Sequence, residues 1–329
     1  MPRADRYRAV GTFGDIIGIY ERNEMGTMAG RNSSRKLSVS KLKAIDELFQ
    51  SKDWKIEFYG SMKNSQYQRF CERMAIFNEA DQQFFLDMAA CFHQILINDY
   101  LTHIWMAYSI IPNKILDEAD KIIFSPLLEI LSDGSRKNNS TKSSNALLYH
   151  MKGDKYDNAN HNQKFEFMED ARKIKSKFTR KSVLIFIDDF IGSGKTAVDT
   201  VKSYRNFIPL LNSNNCIITS IVCQQAGQQT ILEETQCRVE AKFIYNKAIS
   251  DKFSGAILEA KLKQMSGMEK NVSKDIMEKG LHLGFEQTEA LVCFQARSPN
   301  NTLPVFWFET ETKMAPFPRA RIFKSNQYE

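Results

Sequence analysis

Asp188 and Asp189 stand side by side after an apolar run, Val183-Leu184-Ile185-Phe186-Ile187, and are followed by Phe190-Ile191-Gly192-Ser193-Gly194-Lys195-Thr196. An apolar run of this length, bounded by charge and then by glycine, reads as a buried parallel strand. The predicted strand ends in two carboxylates. A small-residue loop follows, and a helix starts near Thr196. Gly192 and Gly194 let the backbone approach a ligand closely and adopt positive φ. Successive N–H groups in such a turn form a concave anion site, and a helix N-terminus adds its dipole. Ser193 and Thr196 add hydroxyl donors, so the 190–196 segment suits a phosphate. The two acids repel that phosphate and are better suited to sugar hydroxyls or a magnesium ion. The tail Gly194-Lys195-Thr196 resembles the end of a P-loop. That motif requires glycine five positions before its Gly-Lys pair, and here the position holds Asp189.

The elements that must position these residues lie in a chain of 329 residues, enough for one large or two ordinary domains. Its 43% hydrophobic and 26% charged residues fit a soluble, packed protein. The most apolar stretch, Cys91 to Ile111, is interrupted by His93, Gln94, Asn98, Asp99 and His103 and reads as buried helix. No membrane span and no signal peptide are expected. The six cysteines lack metal-ligand spacing, which fits reduced, buried thiols in a cytoplasmic protein. A net charge of +6 allows an anionic partner without requiring one.

Residues 1–37 read as a flexible arm or a strand near Phe13–Tyr20, with Met25 or Met28 as alternative starts. Residues 38–113 read as a helical lead-in. Ser40 is expected to cap Lys41–Gln50, and Asn78 to cap a helix carrying Phe84, Phe85, Met88, Phe92 and Ile95. Leu96 to Ile111 continues or restarts that helix, and Pro112 ends it. These aromatic residues read as core or subunit interface. Residues 114–329 read as an α/β domain. Lys121–Pro126 is a first strand, 132–141 a polar loop, and Lys142-Ser143-Ser144-Asn145 a helix start. A helix near Lys164–Lys177 leads into the strand before the acids. A helix over 195–208, a strand over 216–223, a helix over 227–235 and a strand over 239–245 follow. That alternation argues for a mostly parallel sheet flanked by helices. Residues 246–285 read as irregular and helical, with late strands at Ala290–Ala296 and Val305–Phe308.

The run of an apolar strand, Asp188-Asp189, three variable residues, Ser193, Gly194, Lys195 and Thr196 resembles the phosphoribosyl pyrophosphate signature of type I phosphoribosyltransferases. The resemblance implies that Asp188 and Asp189 hold the ribose 2′ and 3′ hydroxyls and act in catalysis and magnesium binding. It implies that Phe190, Ile191, Gly192, Ser193, Gly194, Lys195 and Thr196 cradle the 5′-phosphate. It also implies a pyrophosphate loop after the first strand, where Lys142, Ser143 and Ser144 are the matching anion contacts. The strand ending Ser125-Pro126-Leu127, the 142–149 helix start and Pro299-Asn300-Asn301-Thr302-Leu303-Pro304-Val305-Phe306-Trp307 resemble a narrower group. It comprises the phosphoribosyltransferase-like effector domains of prokaryotic conflict systems, found in some retron and other antiphage loci.

Three functional readings follow from that resemblance. One is an effector acting on a phosphorylated ribose donor or nucleotide. One is a non-catalytic sensor of a phosphoribosyl ligand. One is a structural partner of a reverse transcriptase and its RNA or DNA, with the 38–113 helices as contact and oligomerisation open. Asn300, Asn301 and Trp307 read either as a base pocket or as a turn with a buried indole. No general base stands out; His150, close to the 142–145 segment, reads as structural.

Overall fold

The fold is described from a computed structural model and covers residues 37–56, 65–137, 143–154, 156, 159–295 and 297–319. Lys142 and the 1–36 arm, including Phe13–Tyr20 and both alternative starts, lie outside the described residues.

Three helices open the described chain: α1 (Val39–Ser51), α2 (Gln66–Ala75) and α3 (Glu79–Ala90). Each begins at a side-chain cap that satisfies an otherwise unpaired N–H. Asn78 accepts from Asp81 N at 2.9 Å, as expected. For α1 the cap is Ser38, accepting from Lys41 N at 3.3 Å. Ser40, the expected cap, lies inside the helix because Ser38 already has the extended backbone a cap needs.

Of the two alternatives for Leu96 to Ile111, continuation or restart, the helix restarts. A short strand β1 (His93–Ile95) comes first, then helices α4 (Tyr100–Ser109) and α5 (Asn113–Glu118). Strand β2 (Lys121–Pro126) follows, then α6 (Ser143–Gly153) and β3 (Phe165–Phe167). The helix expected over Lys164–Lys177 is confined to α7 (Ala171–Lys177), which Asp170 caps. Then come β4 (Ser182–Ile191), α8 (Lys195–Phe207), β5 (Cys216–Gln224), α9 (Gln225–Thr235) and β6 (Arg238–Tyr245). Helix α10 (Gly255–Val272) and strand β7 (Val292–Phe294) close the list, with a helical turn α11 (Pro304–Trp307). That turn replaces the strand expected at Val305–Phe308. Pro304 at its first position pre-sets the helical φ and has no N–H to offer a ladder.

β2 to β6 form a parallel sheet in the order β3-β2-β4-β5-β6. The chain runs outward from β2 to β3, then returns to place β4 on the other side of β2. The gap between β2 and β4 is therefore a topological switch point, where α/β sheets bind ligands outside the carboxyl ends of their strands. Both faces of the sheet are covered. Ile174, Val201, Tyr204 and Ile231 from α7, α8 and α9 cover one. Ile104, Trp105, Tyr108, Leu147 and Met151 from α4 and α6 cover the other.

A third core joins the opening helices to the end of the chain. Phe49, Phe70, Phe85 and Phe92 pack with Phe306 and Phe317. The Phe85 and Phe306 rings stack at 4.7 Å between centroids, and Phe92 and Phe317 at 4.3 Å. Each fully buried phenylalanine is worth about 1.5–3 kcal/mol. The aromatic residues Phe84, Phe85 and Phe92 of the lead-in are thus core. Among the described residues no helix is long and apolar enough to cross a membrane. Five cysteines are buried and Cys91 is exposed.

Candidate functional site

β4 is the central strand, and it runs through the two acids rather than ending before them. Asp188 pairs with Ser220, Phe190 with Val222 and Ile191 with Cys223. Phe190 and Ile191 are therefore strand residues, not loop. A regular strand points neighbouring side chains to opposite faces. Here the alternation slips around the acids. Ile185, Ile187 and Phe190 pack on one core, while Leu184, Phe186 and Ile191 pack on the other. The slip allows consecutive carboxylates to reach one cavity, and both line it. The Asp189 N–H donates to Asp188 Oδ1 at 3.0 Å, which fixes the first carboxylate.

The turn after β4 is shaped by glycines. Gly194 has φ +83° and is the N-cap of α8. A Cβ there would sit 2.6 Å from the Gly227 carbonyl oxygen, so the turn needs glycine for both conformation and space. A Cβ at Gly192 would meet the Asn301 side chain at 2.3 Å, and one at Gly227 would meet the Gly192 carbonyl at 2.1 Å. The start of α9 therefore braces the turn from below, and Asn301 closes it from above. The first intrahelical bond of α8 runs from Val198 N to Gly194 O, and no described side chain caps the helix. The N–H groups at its start, with the positive end of its dipole, remain available to an anion. Lys195 is 72% exposed, and its Nζ lies 4.0 Å from Glu286 Oε1.

Ser143, the first residue of α6, donates through Oγ to Asp189 Oδ1 at 2.8 Å. The segment after β2 therefore reaches the acid pair through Ser143. Ser144 is fully buried and does not line the cavity.

The cavity has a volume of about 460 Å³. Its floor is Asp188–Ala197 with Leu127 and Ser143. Its roof, or hood, is Phe285, Phe294, Pro299, Asn300 and Asn301, with Arg297 and Arg319. Trp307 is not part of the lining. Its indole is buried and donates to Thr302 O at 2.7 Å, which settles it as a packed indole beneath the Asn300-Asn301 turn. His150 is exposed on α6 and outside the cavity. A larger open depression of about 1200 Å³ lies at the other end of the sheet, beside Ser182, Ile217 and Arg238. It has neither an acid pair nor a helix N-terminus and offers no comparable chemistry.

Sequence reasoning missed the hood arginines, Phe285, Phe294 and Tyr100. The Tyr100 hydroxyl is buried with no hydrogen-bond partner among the described residues. Burial, and then the negative charge of Asp189, push its pKa well above that of an ordinary tyrosine, so it is a neutral donor beside the acids. Its ring packs edge-on against Phe294 at 5.6 Å. None of these residues sits in a recognisable spacing; the fold alone brings them together. Among the described residues no group of three or more His, Cys, Asp or Glu forms a metal cage. Two carboxylates suit a magnesium ion, and Asp188 and Asp189 are the residues that would hold one, with a phosphorylated ligand supplying further oxygens.

An acid pair at a switch point, a glycine turn feeding an uncapped helix and a polar hood over both agree with one further comparison. No curated protein matches the chain. A family model described as PRTase-CE matches residues 109–319, from the end of α4 through the acids to Arg319. That span covers more than half of the chain and the whole cavity, and the protein accordingly belongs to the phosphoribosyltransferase-like PRTase-CE family.

Proposed function

We propose that the cavity binds a phosphorylated ribose, of a ribose 5-phosphate donor or of a nucleotide, and makes or breaks the bond at its anomeric carbon. One observation carries this reading: two strand-end carboxylates and an uncapped helix N-terminus line the same cavity. Backbone amides at the start of α8, with Ser193 and Thr196, hold the 5′-phosphate. Asp188 and Asp189 accept from the 2′ and 3′ hydroxyls, and Ser143 orients Asp189. With phosphate and hydroxyls fixed, the anomeric carbon is held in one position under the hood. As the leaving group departs with its bonding electrons, positive charge grows on the ring, and the two carboxylates below stabilise it. A magnesium ion at the acids would neutralise charge on a departing diphosphate. The finer reading, an effector of a retron-type antiphage system, rests on the resemblance of the 125–127, 142–149 and 299–307 segments.

The test is ligand preference. Ribose 5-phosphate or phosphoribosyl diphosphate with magnesium should raise the melting temperature more than ATP does. A ligand at about 100 times its dissociation constant adds about 2.7 kcal/mol. Preferential stabilisation by ATP overturns the reading.

A second reading, a sensor without turnover, is favoured by the lining itself. Among the described lining residues there is no histidine, and no carboxylate besides Asp188 and Asp189. Incubation with labelled phosphoribosyl diphosphate and a pool of nucleobases separates the two: binding without product formation supports the sensor.

A further inference from the structure

The register of the sheet brings two thiols together. β5 and β6 pair with Ile217 opposite Arg238. The residues one step earlier, Cys216 and Cys237, are therefore neighbours where the two strands begin. Both side chains pack into the same core, so both point to one face of the sheet. The Cys216 thiol donates to the Cys237 sulfur.

A cation completes the arrangement. Arg205 on α8 donates from Nη2 to Cys237 Sγ at 3.2 Å. Among the described residues it has no other hydrogen-bond partner and no ion pair, and its Nε is buried without an acceptor. A guanidinium whose one partner is a neutral thiol is poorly satisfied, whereas the same group over a thiolate is an ion pair. The Cys216 hydrogen bond, and then Thr235 and Arg205, pull the pKa of Cys237 below its ordinary value, although burial opposes them. Cys216 keeps its proton, because its bond to Cys237 and its burial push its pKa up. Cys223 on the same strand has no such cation, and burial pushes its thiol up to about 12.

Cys237 is buried, yet it lies just beneath the surface. It stands between the exposed Gln236 and Arg238, at the start of an edge strand, and lines the open depression at that end of the sheet. The ends of edge strands open locally at small cost, and a peroxide is small enough to enter.

We propose that Cys237 and Cys216 form a peroxide-reactive dithiol, with Cys237 as the attacking thiolate and Cys216 as the resolving thiol. The Cys237 sulfur attacks one oxygen of hydrogen peroxide. The S–O bond forms, the O–O bond breaks, and hydroxide leaves and takes a proton from solvent. The Cys216 sulfur, giving up its proton, then attacks the Cys237 sulfur; the S–S bond forms and water leaves. The two sulfurs lose two electrons, and the peroxide becomes two waters. The bridge closes a loop around α9 at the end of the sheet opposite the acid pair, so the inference is independent of the phosphorylated-ribose reading.

The test uses the full-length protein carrying Cys91→Ser, which removes the exposed thiol. The reduced protein is treated with hydrogen peroxide, alkylated in urea without reduction and read by peptide mass spectrometry. A disulfide between Cys216 and Cys237 should form while Cys71, Cys223 and Cys293 stay free to alkylate, and a dithiol reductant should reverse it. Cys216→Ser should stop the reaction at a sulfenic acid on Cys237, trapped by dimedone. Cys237→Ser should leave Cys216 unoxidised. Arg205→Met should slow the loss of the Cys237 thiol severalfold near neutral pH, and Arg205→Lys, which keeps the charge, should restore part of the rate. The Cys91→Ser protein decides the first point without any change in the core. Oxidation spread evenly over the buried cysteines overturns the dithiol. So does an unreacted Cys216 and Cys237 in the folded protein when the urea-unfolded chain reacts. Oxidation of Cys216 at an unchanged rate in Cys237→Ser overturns the assignment of roles.

Discussion

Gly194 and Lys195 are neighbours with opposite expected sensitivities. Gly194→Val places a branched side chain against the Gly227 carbonyl at a positive φ, so it should abolish ribose 5-phosphate binding and lower the melting temperature. Lys195→Ala removes an exposed side chain whose near partner is Glu286 on the hood, so affinity should change by less than about threefold. A calorimetric titration of both variants checks this, and a collapse in Lys195→Ala would favour a triphosphate site. Asp188→Asn with Asp189→Asn should lose ligand binding and keep its circular dichroism spectrum and melting curve, because both side chains are only half-buried at a strand end. Global unfolding of that double variant would make the acids structural. The acids and the glycine turn were legible in the sequence because local backbone chemistry dictates them. Arg297, Arg319 and Tyr100 were not, because their proximity depends on the path of three distant segments.

At the scale of elements, the long strands and helices of the sheet follow from apolar periodicity and match closely. β1 and β3 were read as parts of helices. Each has only three residues and pairs at the edge of its sheet, which is too short for alternation to register. The 246–285 stretch reads as irregular and helical; it holds α10, and its irregular parts are ordered by buried carboxylates within and just after it. Glu289 accepts from Ile249 N and Ser250 N, each at 2.8 Å. Glu269 accepts from Leu283 N at 3.0 Å and pairs with His282. Burial raises the pKa of Glu269, with the His282 hydrogen bond opposing. The folded state therefore keeps this proton to higher pH than the unfolded chain does. Stability from this group is full below the ordinary glutamate range and falls as pH rises through the raised value. Glu269→Gln should flatten that slope and stay within about 1 kcal/mol of the parent near neutral pH. Glu269→Ala should cost about 2–3 kcal/mol, because the Leu283 N–H is left buried and unpaired. Urea denaturation at several pH values checks both.

At the scale of the molecule, Arg73 on α2 ties the start of the described chain to its end. Its guanidinium is buried and donates to the carbonyls of Val305 at 2.9 Å, Phe308 at 2.6 Å and Met314 at 2.7 Å. Burial pulls its pKa down, and Glu309 opposes that shift. Arg73→Met should cost about 3 kcal/mol or more, since several buried carbonyls lose their donors at once. Chemical denaturation should show a lower midpoint with an unchanged slope. The sequence gives no sign of this contact. An arginine in a polar helix reads as surface, and only the closure of a remote segment over it makes it core.

The same contact has a consequence for how the protein comes into being. Arg73 and Val305 are 232 positions apart, and Phe306 and Phe317 complete the core of the first three helices. At about 5–20 residues per second, roughly 12–46 s of synthesis separate the two. Throughout that interval the opening helices carry an unfinished hydrophobic face, and in its later part the cavity has a floor but no roof. A partly made chain therefore cannot close its cavity and leaves apolar surface exposed to aggregation. The site is completed only when the hood segment, residues 285–319, has left the ribosome.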